Sequence, residues 1–145
     1  MARLKEISVP GDGNCQFYSL SRVLREKNID NISHRDLRKL AVNIIKSDRE
    51  HFMSFVPSDD HNTYIRDMTR NKTYGDNITL SAIALNYGIK IIVLRPHGPK
   101  NIINPSGNPH VILKYYGDDG ADAHYNPVIE NSCKQSNRSE RVSKK

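Results

Sequence analysis

At 145 residues the chain suits one domain, with room to bury a core without disulfide staples. Twenty-two Lys and Arg against sixteen Asp and Glu give a formal charge of +6, yet the last fifteen residues alone carry Lys134, Arg138, Arg141, Lys144 and Lys145 against Glu140, a net +4. The rest of the chain is therefore near neutral, and it lacks interleaved basic and aromatic residues, so nucleic acid is not an expected partner.

No run approaches the about 20 apolar residues of a membrane span, and the N-terminus has no apolar centre like that of a secretory signal, so a soluble cytoplasmic protein is expected. Cys15 and Cys133 are the only cysteines. Neither belongs to a CxxC pair, which indicates neither a zinc site nor a disulfide framework. Residues 1–130 form the expected domain, and residues 131–145 a basic, polar tail without apolar periodicity, expected to be disordered.

In chain order, Ile7 to Val9 is a short extended entry, and a turn of Pro10, Gly11, Asp12, Gly13 and Asn14 leads into a helix over Cys15 to Lys27 with apolar spacing at Phe17, Leu20, Val23 and Leu24. Ser33 caps a second helix, with Asp36 three positions on and an apolar stripe at Leu37, Leu40, Ala41, Ile44 and Ile45 opposite charged residues. Phe52, Phe55 and Val56 extend that surface to Pro57. Ser58 to Asn62 reads as a polar loop, and Tyr64, Ile65 and Met68 as a short helix. Tyr74-Gly75-Asp76-Asn77 opens a helix through Ile78, Ala82, Ile83 and Leu85, closed by Gly88 as its C-cap.

Ile89 to Leu94, rich in isoleucine and too short for a helix, reads as a buried central strand. Arg95 to Pro109 is a surface connection with a short edge strand at Asn101 to Ile103. His110 to Tyr116, an acidic loop over Gly117 to Ala123, and His124 to Ile129 make a hairpin.

Two stretches carry chemistry. The turn before Cys15 delivers a thiol to the first turn of a helix, where partial positive charge and unpaired N–H groups favour the thiolate. Far downstream, side-chain alternation along a strand puts His124 and Asn126 on one face and Tyr125 on the other. The amide oxygen of Asn126 can then hold one imidazole nitrogen and leave the other aimed at the thiol, which is the Cys-His-Asn logic of papain-like proteases in a different chain order. His34, His51, His61, His97 and His110 lack such a partner and read as solvated or capping residues. Asp119 and Asp122 could supplement Asn126, and their spacing fits no calcium loop.

PGDGNCQFYSL, running from Pro10 to Leu20, resembles the nucleophile motif of the ovarian tumour (OTU) family of cysteine proteases, whose members are deubiquitinases. The match continues over residues 7 to 129, and the segment Ala123-His124-Tyr125-Asn126-Pro127-Val128 is similar to that family's second motif, with Pro127 where Ser is common. The resemblance implies an α+β, papain-like OTU fold, with a small central β-sheet flanked by helices. It implies Cys15, His124 and Asn126 as the catalytic set, with Asp12 positioning the oxyanion loop and the backbone amides of Asp12, Gly13, Asn14 and Cys15 as oxyanion donors. The implied partner is ubiquitin, polyubiquitin or a ubiquitin-like modifier, handled by a monomer without metal or cofactor. Compactness is shared with viral and bacterial members, for which the host cytoplasm would be the site of action. Asp59, Asp60, Asp118 and Asp119 are expected to hold the basic C-terminal segment of ubiquitin by opposite charge. Two other readings stay open: a ubiquitin-binding module of the same fold without catalysis, and a papain-like amidase acting on another substrate such as a cell-wall peptide.

Overall fold

The computed structural model describes residues 2–54, 56–117 and 124–132. Phe55, the expected acidic loop from 118 to 123 with Asp118, Asp119 and Asp122, and Cys133 with the rest of the expected tail lie outside the described residues. Strand β1 (Ala2–Glu6) precedes the Pro10–Asn14 turn, and five helices follow: α1 (Cys15–Glu26), α2 (His34–Ser47), α3 (Arg49–Phe52), α4 (His61–Thr69) and α5 (Asn77–Tyr87). The chain then closes with β2 (Lys90–Leu94), β3 (Asn101–Ile103), β4 (His110–Tyr115) and β5 (Tyr125–Ser132).

The strands form one mixed sheet in the order β1-β5-β4-β2-β3. Strands β4 and β5 are the expected antiparallel hairpin, β3 is the expected edge strand, and β2 runs parallel to β4. Register places Val111, Leu113, Tyr125 and Ile129 on the face that α1 and α5 cover, and the main core is built there with Phe17, Leu20, Leu24, Leu80, Ile83, Ile89 and Ile91. Helix α2 packs behind α1 and α5. A second cluster of Val42, Ile45, Phe52, Met53, Ile65, Met68 and Ala82 joins α2 to α3, α4 and α5.

Local signals account for most boundaries. Ser33 accepts a hydrogen bond from the Asp36 N–H at 3.1 Å, Asp76 and Thr79 form a reciprocal capping box, and Gly88 ends α5 with φ of 66°, a conformation that suits glycine. Two expectations need correction. The extended entry at Ile7 to Val9 is preceded by a full strand, β1, whose alternating charges and exposed Leu4 carry no buried-strand pattern. Ser58 to Asn62 is not a loop: Ser58–Asp60 is a 3-10 turn running straight into α4. The fully buried stripe of α2 is Leu37, Arg38, Ala41, Val42 and Ile45, which includes a charged residue, while the expected Leu40 and Ile44 pack against the core partly buried.

Pro127 sits in an inner strand. Its carbonyl accepts from the Ile7 N–H at 3.0 Å, but proline has no N–H to return the bond, so the β1–β5 ladder stops at Glu6 opposite Val128. Beyond that point the chain leaves the sheet, and the Val9 N–H turns to the side chain of Asn126 at 3.2 Å. A missing donor thereby directs the chain toward the Pro10–Asn14 turn.

Candidate active site

The turn before α1 is braced from within and from behind. Asp12 Oδ1 accepts from the Asn14 N–H at 2.9 Å, and the Asp12 carbonyl accepts from the Cys15 N–H at 3.1 Å. Both bonds of Asp12 lie within its own loop. Two of the four expected oxyanion donors, the amides of Asn14 and Cys15, are engaged inside the turn, while those of Asp12 and Gly13 enter none of the turn's own bonds.

Behind the turn lies Arg38, 5 % exposed. Its guanidinium donates to the Gly13 carbonyl at 3.2 Å, Asn14 Oδ1 at 2.7 Å, the Thr73 carbonyl at 2.8 Å and the Met68 carbonyl at 3.0 Å, and it lies over the Phe17 ring. Asn14 itself bonds Asn71 and the Lys72 N–H. The 68–73 segment therefore clamps the loop from the rear. Gly13 is needed for that approach, since a Cβ there would fall 1.5 Å from the Lys72 carbonyl oxygen. Beside it the fully buried Gln16 accepts from Thr79 Oγ1 at 2.6 Å and donates to the Asp76 carbonyl, tying the head of α1 to the head of α5.

Cys15 is 1 % exposed, and its sulfur accepts from the Tyr125 N–H at 3.4 Å. Burial pushes the thiol above its ordinary value, the Asp12 carboxylate adds to that, and the amides of Tyr125 and Gln16 pull the other way. The expectation that a helix N-terminus would by itself favour the thiolate is therefore corrected: desolvation outweighs the amides, and ionisation needs a base.

The imidazole of His124 stands one residue from Tyr125. His124 Nε2 lies 2.7 Å from Asn126 Oδ1, so the same-face pairing expected from strand alternation is present. The other nitrogen, Nδ1, faces the catalytic turn: a Cβ on Gly11 would lie 3.8 Å from it. Asn126 is further held by Val9 N–H on its oxygen and by Glu6 Oε2, 2.8 Å from its nitrogen. Tyr116 donates to the same Glu6 oxygen at 2.6 Å.

The remaining expected site residues do not join this cluster. Asp59 and Asp60 are exposed on the 3-10 turn before α4, and among the described residues no hydrogen bond or ion pair links them to Cys15, His124 or Asn126. Sequence reasoning missed Arg38, Gln16 and Glu6. Arg38 had a signal, because it lies three, four and seven positions before Ala41, Val42 and Ile45 and so shares their buried face. Among the described residues no group of three or more His, Cys, Asp or Glu could hold a metal ion, and no helix is long and apolar enough to cross a membrane.

A thiol at a helix head, an imidazole at a strand end and an amide two residues on, set in an α+β fold, are the group types that a papain-like cysteine hydrolase uses. Residues 10–125 match the family model described as "OTU-like cysteine protease", and the chain belongs to that family. It is 42 % identical over 89 residues to the "OVARIAN TUMOR DOMAIN-containing deubiquitinating enzyme 10" of Arabidopsis thaliana, a match covering 61 % of this chain and 24 % of that protein. Against the enzyme 9 of the same series and organism it is 32 % identical over 136 residues, 86 % of this chain and 35 % of the relative. The chain thus spans a quarter to a third of the length of these two relatives. Its fold is that of the "Ovarian Tumor (OTU) domain in complex with Ubiquitin", with a TM-score of 0.74 at 17 % identity over 90 % of this chain and 72 % of that one.

Proposed function

We propose that the chain is a deubiquitinase that hydrolyses isopeptide bonds at the C-terminal glycine of ubiquitin, or of a ubiquitin-like modifier, through Cys15, His124 and Asn126. The observation that carries this reading is the 2.7 Å contact between His124 Nε2 and Asn126 Oδ1, beside a thiol that meets the next residue's amide. An amide oxygen only accepts, so Nε2 holds the proton and Nδ1 is the basic nitrogen. The deubiquitinase names of the relatives support the substrate class.

In this mechanism Nδ1 takes the Cys15 proton, and the thiolate attacks the glycine carbonyl carbon. The tetrahedral oxyanion forms beside the loop, where the Asp12 and Gly13 amides are the donors, and loss of one such donor can cost about 10²–10³ in turnover. Collapse expels the lysine amine, protonated by His124, and leaves a thioester. Water, deprotonated at Nδ1, releases the carboxylate and regenerates the thiol. Since the sulfur is covered, the glycine tail must part the groups over it to reach attack distance.

The test is reaction with ubiquitin bearing a C-terminal electrophile, alongside turnover of ubiquitin with a fluorogenic leaving group. Labelling of Cys15, with turnover falling by about 10⁴-fold or more in Cys15→Ala and His124→Ala, is expected. A stoichiometric ubiquitin complex without turnover would instead mark a binding module, and absence of any reaction an amidase for another substrate.

A further inference from the structure

An amide side chain can sit either way round, and His124 gains a productive tautomer only if Asn126 presents its oxygen. Two groups outside the catalytic set decide this. The Val9 N–H can only donate, so it requires Oδ1 on its side, at 3.2 Å. Glu6 Oε2, as a carboxylate, can only accept, so it requires the Nδ2 hydrogens on its side, at 2.8 Å. Both come from the chain just before the turn at Cys15, and both favour the same orientation, the shorter bond to Glu6 the more strongly. Register explains the meeting: Glu6 lies opposite Val128, and Asn126 is the next residue of β5 on that face.

Glu6 supplies charge as well as orientation. Asn126, unlike a carboxylate, is neutral and cannot balance an imidazolium. Partial burial alone would raise the Glu6 carboxyl, but hydrogen bonds from Tyr116 and Asn126, with the charges of Lys114 and His124, overcome that and hold it below its ordinary value. Tyr116, pushed up to about 12 chiefly by its bond to Glu6, stays neutral and keeps donating.

We propose that Glu6 is a positioning residue of the active site, fixing the Asn126 amide so that His124 carries its proton on Nε2, and lending negative charge to the imidazolium formed when Cys15 ionises. The proposal rests on the catalytic reading above. It makes the N-terminal strand part of the machinery, although its sequence gives no sign of it. Among the described residues, the ionisable groups on the elements gathered around the imidazole are Glu6 of β1, Lys114 and Tyr116 of β4 and its end, and Cys15 and Asp12 at the head of α1.

Glu6→Gln keeps an acceptor for Asn126 and Tyr116 and removes only the charge, whereas Glu6→Ala removes both. With the full chain and the fluorogenic ubiquitin substrate, Glu6→Gln is expected to move the acidic limb of the kcat/KM profile down by about half a pH unit, because the imidazolium, which must lose its proton before it can act as base, loses a nearby anion. Glu6→Ala should lower kcat about tenfold with KM within about twofold, and Glu6→Gln should recover most of that loss at neutral pH. Independently of any turnover, ¹⁵N shifts of the imidazole should report the Nε2–H tautomer in the native chain and Glu6→Gln, and a mixture of tautomers in Glu6→Ala. Unmoved limbs and equal kcat in both variants, or a pure Nε2–H tautomer in Glu6→Ala, would overturn the proposal. A chain inactive on ubiquitin but showing the tautomer change would overturn the substrate reading alone. Should Glu6→Ala fail to fold, the limb shift in Glu6→Gln decides.

Discussion

The two halves of the site are held in opposite ways. Around Cys15 the supporting side chains Asn14, Gln16 and Arg38 are all buried, and their partners lie on α5 and the 68–73 segment as well as in the loop. Around His124 the support comes from the buried Asn126, itself held by the Val9 N–H, the exposed Glu6 and the half-buried Tyr116, at the sheet's β1 edge. The thiol is therefore held by side chains buried in the core, whereas the imidazole is aimed, through Asn126, by bonds that reach out to an exposed carboxylate. Damage on the first side should register as lost stability, and damage on the second as lost turnover with the fold intact.

The largest effect is expected from Arg38→Met. It strands the carbonyls of Gly13, Thr73 and Met68 without this donor and leaves the Asn14 amide oxygen only the Lys72 N–H, for about 3–5 kcal/mol. Calorimetry should show a melting temperature lower by roughly 10 °C, a shift of the size expected for a domain this long. Arg38→Lys keeps the charge but not the planar fork, and should recover only part of the loss. A Glu6→Gln variant melting as far below the native chain as Arg38→Met would erase the contrast between the halves.

The two glycines of the turn sharpen it. Gly13→Ala drives a Cβ into the Lys72 backbone, so the loop must shift away from its clamp, at a cost of about 1–3 kcal/mol and with oxyanion geometry disturbed. Gly11→Ala meets only the imidazole, at ordinary contact distance, and should leave the melting temperature within about 2 °C. Differential scanning of both variants, read beside their kcat, tests this: equal melting temperatures would mean that the clamp on Gly13 is not what holds the loop.

Legibility in the sequence followed the same divide between local and distant causes. The turn before Cys15, the β4–β5 hairpin, the Gly88 cap and the His124–Asn126 pairing each rest on residues within a few positions of one another, where period and turn chemistry act. Helical spacing puts Arg38 on the buried face of α2, but its partners are at 13, 14, 68 and 73, so that local pattern gives its burial and not the acceptors that satisfy it. Glu6 was invisible for a different reason. Strand β1 is short, charged and lies at an edge, and such strands are kept polar because their unpaired side faces water. Asp59 and Asp60 read as loop residues by composition, though the same carboxylates suit the start of a helix, which is where they lie.

The smallest effect concerns the tie between the halves at their far ends. Lys27, just past α1, and His110, at the head of β4, both meet Glu130 of β5, at 2.8 and 2.9 Å. Burial pushes the Glu130 carboxyl up, but these two partners more than offset it and leave it below its ordinary value near 4.5. A carboxyl depressed in the folded state is protonated first in the unfolded chain, so its contribution is whole above about pH 4.5 and fades as pH falls through the lower folded value. Glu130→Gln should therefore cost about 0.2–1 kcal/mol at pH 7, as a partly exposed pair does, and progressively less below pH 4.5 in urea denaturation. A deficit that stays constant down to pH 3 would assign the loss to packing of β5 against α1. In that event the two halves would be joined through the core alone, with no contribution from charge at their outer ends.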